Sequence, residues 1–159
     1  MNHNHETTMK TRELITKLVR DSEALTILLI TKEGQVMSEA GDVSSLNTTA
    51  MAALVAGMFS ATREVARMVG ENQFSILLQQ GEKRHIHISL VTDSAMMVIV
   101  FEDYQRIGRV RHEARKTGEK LIEVLTKQKK TTRENEDLSV PEFKEYALNL
   151  IDQIFQSKP

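Results

Sequence analysis

The sequence predicts an α+β fold: a five-stranded antiparallel sheet flanked by helices. Three observations carry this. ALTILLIT (24–31) and AMMVIVF (95–101) are continuous apolar runs of strand length, the pattern of buried strands. In HIHISLV (85–91), Ile86, Ile88 and Leu90 alternate with His85, His87 and Ser89, which gives one apolar face and one wetter face. The connections from strand directly to strand are too short for a crossover, so those strands pair antiparallel, and the helical stretches must cover the sheet.

Taken in order, Leu14, Ile15, Leu18 and Val19 fall one helical turn apart among charges and predict an amphipathic first helix. The strand at 24–31 turns at Lys32, Glu33 and Gly34 into QVMSEA, a more polar run placed at a sheet edge. Asn47, Thr48 and Thr49 supply capping oxygens for a long helix from Thr48 to Val69, with Gly70 as its left-handed terminator. Met51, Val55, Met58, Thr62, Val65 and Val69 are the expected buried stripe of that helix. Ala50, Ala53, Gly57 and Ser60 form a row of small residues on another side, where a second backbone can approach closely or a loop can pack. Phe74–Gln80 reads as a strand. Gly81 and Glu82 then turn into HIHISLV, and Asp93 and Ser94 turn into AMMVIVF. A basic helix starts near Ile107. Residues 127–138 are almost wholly polar and read as a linker, after which Ser139 and Pro141 open a final amphipathic helix.

A chain of 159 residues fits one domain with appendages. Its formal net charge of −1 gives no overall attraction to nucleic acid or membrane. The absence of cysteine removes disulfides, thiolate metal sites and cysteine nucleophiles. No apolar run reaches membrane-spanning length, and the polar start MNHNHETTMK lacks an apolar secretion core, so a cytoplasmic location is expected. With few aromatic residues and no Trp, base stacking is disfavoured.

No motif carries chemistry. The glycines form no phosphate-binding loop. His85 and His87 share a strand face, but two histidines without a carboxylate at supporting spacing are too few for a typical metal site, and a partly exposed sheet face explains them. No cofactor is expected. Arg106, Arg109, Arg111, Arg115, Lys116 and Lys120 crowd the start of the basic helix, interleaved with Glu113, Glu119 and Glu123. They form a solvated face or a protein-docking face ahead of a nucleic-acid or lipid surface. The C-terminal helix, with Phe143, Leu150, Ile151, Ile154 and Phe155, must dock on its own domain or in a partner's groove.

Thr48-Thr49, Leu54-Val55-Ala56-Gly57 and Val69-Gly70-Glu71-Asn72-Gln73-Phe74 together resemble the roadblock/dynein light-chain family, in particular its bacterial gliding-motility branch. Gly81, Val98-Ile99-Val100-Phe101 and Ile107-Gly108-Arg109-Val110-Arg111 continue the resemblance, which covers about residues 10–126. It implies the roadblock-like (profilin-like) fold and a homodimer built by pairing the long helices and third strands of two subunits. It further implies a small Ras-like GTPase as partner, regulated in hydrolysis or exchange by a protein with no active site of its own. The expected layout is a disordered tail at 1–9, a roadblock domain at 10–126, a linker at 127–138 and an amphipathic helix at 139–157. On this resemblance the dimer interface falls on Ala50, Met51, Ala53, Leu54 and Gly57. The GTPase contact falls on Met58, Phe59, Ser60, Arg63 and Glu64, and on the C-terminal apolar row. Partner-binding relatives keep Gly and Ala along the exposed part of this helix, and Ser60, Arg63 and Glu64 depart from that. The alternative function is a roadblock scaffold that dimerises within a multiprotein complex and leaves GTP hydrolysis unchanged.

Overall fold

The computed structural model describes residues 2–156, with side chains described through 134 and at Asn149, Asp152 and Gln153. The elements are α1 (His3–Ser22), β1 (Thr26–Thr31), β2 (Val36–Gly41), α2 (Thr48–Met68), β3 (Ile76–Gln80), β4 (His85–Thr92), β5 (Ala95–Phe101), a 3-10 turn (Tyr104–Arg106) and α3 (Ile107–Gln156). The strands form one antiparallel sheet in the order β2-β1-β5-β4-β3. The chain divides into two compact units, residues 1–124 and 125–159.

The two apolar strands, β1 and β5, lie together at the centre, in register from Thr26 opposite Val100 to Thr31 opposite Ala95. Both sheet faces are covered there, which is why neither strand alternates in polarity. One face packs against α2: Leu28, Ile30, Ile88, Met96 and Val98 meet Ala52, Val55, Ala56 and Phe59. The residues between them, Ile27, Leu29, Met97, Ile99 and Phe101, point to the other face. There Ile15 and Leu18 of α1 and Val110, Ala114 and Leu121 of α3 are buried as well.

The β1–β2 turn is fixed by Thr31 N donating to Gln35 O at 2.8 Å and Gly34 N donating to Thr31 O at 3.0 Å. Gly34 has φ +92°, and a Cβ there would stand 2.9 Å from Ala53 Cα and 3.3 Å from Ala56 Cβ. The turn therefore rests on α2, and the small residues of that helix are partly its seat. α2 begins at Asn47, whose Oδ1 accepts from Ala50 N at 3.1 Å. It ends in a Schellman motif: Glu71 N donates to Ala66 O at 2.9 Å and Gly70 N to Arg67 O at 3.2 Å, with Gly70 at φ +87°.

Four expectations are corrected. α2 buries Ala52, Val55, Ala56, Phe59 and Ala66, so of the expected stripe only Val55 is buried, and Val65 and Val69 are exposed. The helix has apolar residues on more than one side, and its smaller ones fit the close approach to the sheet. α1 starts at His3 and takes in most of the expected tail; Glu6 and Lys10 pair at 2.9 Å and Thr8 Oγ1 donates to Asn4 O at 2.8 Å, both local supports of its first turns. Segment 127–138 is helical as part of α3, where Lys, Gln, Arg and Glu are good helix formers and no Gly or Pro interrupts. The hydroxyls of Thr131 and Thr132 donate one turn back, to Lys127 O and Gln128 O, both at 3.0 Å. Ser139 and Pro141 accordingly fall inside α3 and open no separate helix. The fourth correction concerns the face that carries His85 and His87. It is buried beneath α3, with exposures of 3% and 1%.

Candidate interaction surface

Helical spacing divides the outward side of α2 into two flanks. On the flank toward β3 stand Leu54, Ala61, Val65 and Met68, all exposed, with Leu54 at 74%, Val65 at 53% and Met68 at 85%. Ala50 and Gly57 share this face, and a Cβ at Gly57 would meet nothing within 4 Å. The result is an unbroken apolar row three and four residues apart, with small residues set among larger ones. Met58 is half-buried at its edge, and Gln79 Nε2 of β3 donates to Met58 Sδ at 3.0 Å. The row thus adjoins β3, which among the described residues pairs with β4 alone.

On the other flank, Ser60 and Arg63 line a 190 Å³ cleft with Lys32 and Glu33 of the β1–β2 turn and Asp93 of the β4–β5 turn. Arg63 Nε is buried there without a hydrogen-bond partner among the described residues. Glu64 points elsewhere, to solvent, where its carboxylate takes Arg67 at 3.1 Å. The side chains expected to form one GTPase contact are therefore dispersed. Ser60 and Arg63 belong to the turn flank, Glu64 to the outer surface, and Met58 to the β3 side. Phe59 belongs to none of these, since it is buried in the core between α2 and the sheet. Its place in the expected contact is corrected, because its position on the helix puts it beside Val55 and Ala52, over Leu28 and Met96.

The expected dimer residues separate too. Ala50, Leu54 and Gly57 lie on the exposed row, Ala53 sits against Gly34, and Met51 is half-buried against the core. The side chains of Phe143, Leu150, Ile151, Ile154 and Phe155 lie outside the described residues. Sequence reasoning missed Ala61, Val65 and Met68 as surface residues. Their spacing was visible, but it was matched by a second apolar row that could equally be the buried one.

The basic start of α3 is partly committed to structure. Arg106 and Arg109 both pair with the Glu23 carboxylate at the end of α1, and Arg109 also reaches the backbone there. Across the sheet from α2, the His85 ring packs against Phe101 and Tyr104, with ring centroids 5.2 and 5.1 Å away. Neither His87 ring nitrogen has a partner among the described residues. Burial, and then the charge of Arg111, lower the His87 pKa from 6.5 to about 4, so the imidazole is neutral at neutral pH. No group of three or more His, Cys, Asp or Glu residues able to hold a metal occurs among the described residues. No described helix is long and apolar enough to cross a membrane.

A five-stranded antiparallel sheet with one long helix on one face and the terminal helices on the other is the roadblock/profilin-like architecture. The sequence profile of the Roadblock/LC7 domain matches residues 10–101, and the chain belongs to that family. Among solved structures it is similar to MglB of Myxococcus xanthus, at 28% identity over 76% of this chain and 90% of that one, with a TM-score of 0.73. The gliding protein MglB of Thermus thermophilus aligns at 24% identity over 78% of this chain and 92% of that one, with a TM-score of 0.68. Profilin II of Acanthamoeba castellanii shares the fold at 14% identity, over 69% of this chain and 93% of that one, with a TM-score of 0.50. No curated protein sequence matches the chain.

Proposed function

We propose that the chain is a homodimeric, non-enzymatic regulator of a small Ras-like GTPase in bacterial polarity or motility, working in the cytoplasm. The observation that carries this reading is the exposed apolar row of α2 beside the unpaired edge of β3, in a chain 28% identical to Myxococcus xanthus MglB. A second copy related by a two-fold axis buries both rows at once, and extends the sheet where β3 has a free edge. Small residues at 50, 57 and 61 let two such helices approach closely. The cleft flank and the C-terminal segment then remain for the GTPase.

A second reading is a roadblock scaffold that leaves hydrolysis unchanged. The Glu64–Arg67 ion pair favours it, because it places bulky charge where partner-binding relatives are small. One experiment separates the two. The purified chain is mixed with small Ras-like GTPases recovered by pull-down, and single-turnover GTP hydrolysis and nucleotide release are measured with and without it. Acceleration of either, abolished by Glu64→Lys or by Arg63→Glu, supports regulation. Binding with unchanged rates supports the scaffold.

A further inference from the structure

Between β3–β4 and the first turns of α3 lies a cleft of about 510 Å³. Its floor is His87, 1% exposed, and its outer wall is the cationic side of α3 with Arg111, His112 and Arg115. One carboxylate, Glu119, reaches the lining, and Ser75 and Ser89 add hydroxyls from the β3 entry and β4. The remaining lining includes Ile76, Ala114 and Ile122, so charged and apolar side chains both line the cleft. Such a mixed lining, at this volume, is the usual make-up of a small-molecule site.

Three features indicate the sign of the ligand. Buried polar atoms are normally satisfied, yet both nitrogens of the His87 ring lack a partner among the described residues. Arg111 and Arg115 stand one turn apart on α3 and make no ion pair among the described residues, unlike Arg106 and Arg109 nearby. The titratable and charged groups facing His87 across the cleft are Arg111, His112, Arg115 and Glu119, all from α3; β3 contributes none, and the residues paired with His87 are Leu78 on β3 and Ile99 on β5. The balance is cationic, and an oxyanion is the group that gives a buried imidazole N–H an acceptor and two guanidinium groups a counter-charge together.

We infer that this cleft binds a small organic anion, its phosphate or carboxylate held between His87, Arg111 and Arg115 and its apolar body along Ile76 and Ile122. The site lies on the face of the sheet opposite α2, so it is independent of the GTPase reading.

The test uses the full chain with isotope-labelled histidine, observed by NMR. Inorganic phosphate, phenyl phosphate and benzoate are added in separate titrations. Saturable displacement of the His87 ring signals by phenyl phosphate or by benzoate supports the site, and the tighter of the two identifies the head group. Arg111→Met removes an exposed side chain and should leave the fold intact while weakening that binding about tenfold. His87→Leu should abolish it, with Arg111→Met standing as the control should that core variant not fold. If inorganic phosphate binds as tightly as phenyl phosphate, the apolar half of the proposal falls. If none of the three moves His87 at millimolar concentration, or if Arg111→Met leaves binding unchanged, the site is overturned and water is what the imidazole meets.

Discussion

Arg109 Nε donates to the backbone carbonyl of Asp21 at 2.7 Å, across 88 residues of sequence. Asp21 lies in the last turn of α1, where carbonyls have no partner within the helix. A guanidinium from α3 supplies one, while its NH1 lies 3.6 Å from the Glu23 carboxylate. Glu23 itself sits at φ 57°, a left-handed position that ends the helix and turns the chain toward β1. One arginine on the basic helix is therefore a clamp on the α1 terminus. Arg109→Ala should lower unfolding free energy by about 1 kcal/mol, read from urea denaturation. Arg109→Lys should recover only part of this, because an ammonium lacks the planar fork that serves carbonyl and carboxylate together.

His87 predicts a pH dependence. Its folded pKa is about 4, below the 6.5 of an unperturbed imidazole. The unfolded chain therefore takes up this proton first as pH falls, and the native state loses stability between pH 6.5 and about 4. The slope from this group is ~1.4 kcal/mol per pH unit at most, and it is absent above the window. His87→Leu should flatten the difference when urea midpoints of the two proteins are compared across that range.

Gly34 and Gly57 should respond oppositely to the same change. A methyl group at Gly34 meets Ala53 Cα at 2.9 Å with φ at +92°, so Gly34→Ala should cost about 2 kcal/mol and lower the melting temperature. Gly57 lies within α2 with open space around it, and Gly57→Ala should stabilise an isolated subunit by roughly 0.5–1 kcal/mol. Gly57→Arg fits a lone subunit as well, but should prevent close approach of a second helix. Analytical ultracentrifugation is the check, with the dimer lost and the melting curve still cooperative.

Charge on the apolar row should act as that bulky substitution does. Val65→Lys combined with Leu54→Lys places two ammonium groups where a two-fold interface doubles them. Light scattering at micromolar concentration should report a monomer for this variant and a dimer for the parent chain. A monomeric parent chain would remove the homodimer from the proposal.

Truncation after Thr131 removes most of the second compact unit, residues 125–159, and leaves the sheet, α1, α2 and the part of α3 that belongs to the first unit. The remaining chain should melt at a similar temperature. Stimulation of the GTPase, or binding to it, should fall. A large loss of thermal stability would show instead that residues beyond 131 belong to the folded core.

The strands were legible because burial on two faces leaves a strong mark: AMMVIVF at 95–101 is a strand over its whole length, with no internal polar residue to obscure it. The caps of α2 were legible for a similar reason, since Asn47 and Gly70 each solve a local backbone problem that few residue types solve. The orientation of α2 was not. Val55 and Phe59 on one side, and Leu54 and Val65 on the other, give two rows of similar hydrophobicity, and it is the row with Ala52 and Ala56 that packs on the sheet. His85 and His87 read as a wet face because alternation with isoleucine is what a half-exposed strand shows. Nothing local to that strand announces that α3 will cover it. The polar stretch at 127–138 has a linker's composition, and the same lysines, glutamines and glutamates are good helix formers.

The pairing of β1 with β5 has a consequence for how the chain is made. β1 is complete at Thr31, while its inner neighbour begins at Ala95. During synthesis, β1 and β2 emerge as a hairpin with one side unmatched, and an isolated hairpin is marginal in water. Ile27, Leu28, Leu29 and Ile30 must wait, greasy and unsheltered, until more than half the polypeptide has left the ribosome. For this protein the hazardous interval is birth, and a ribosome-bound chaperone holding residues 24–31 would shelter the segment most prone to stray pairing.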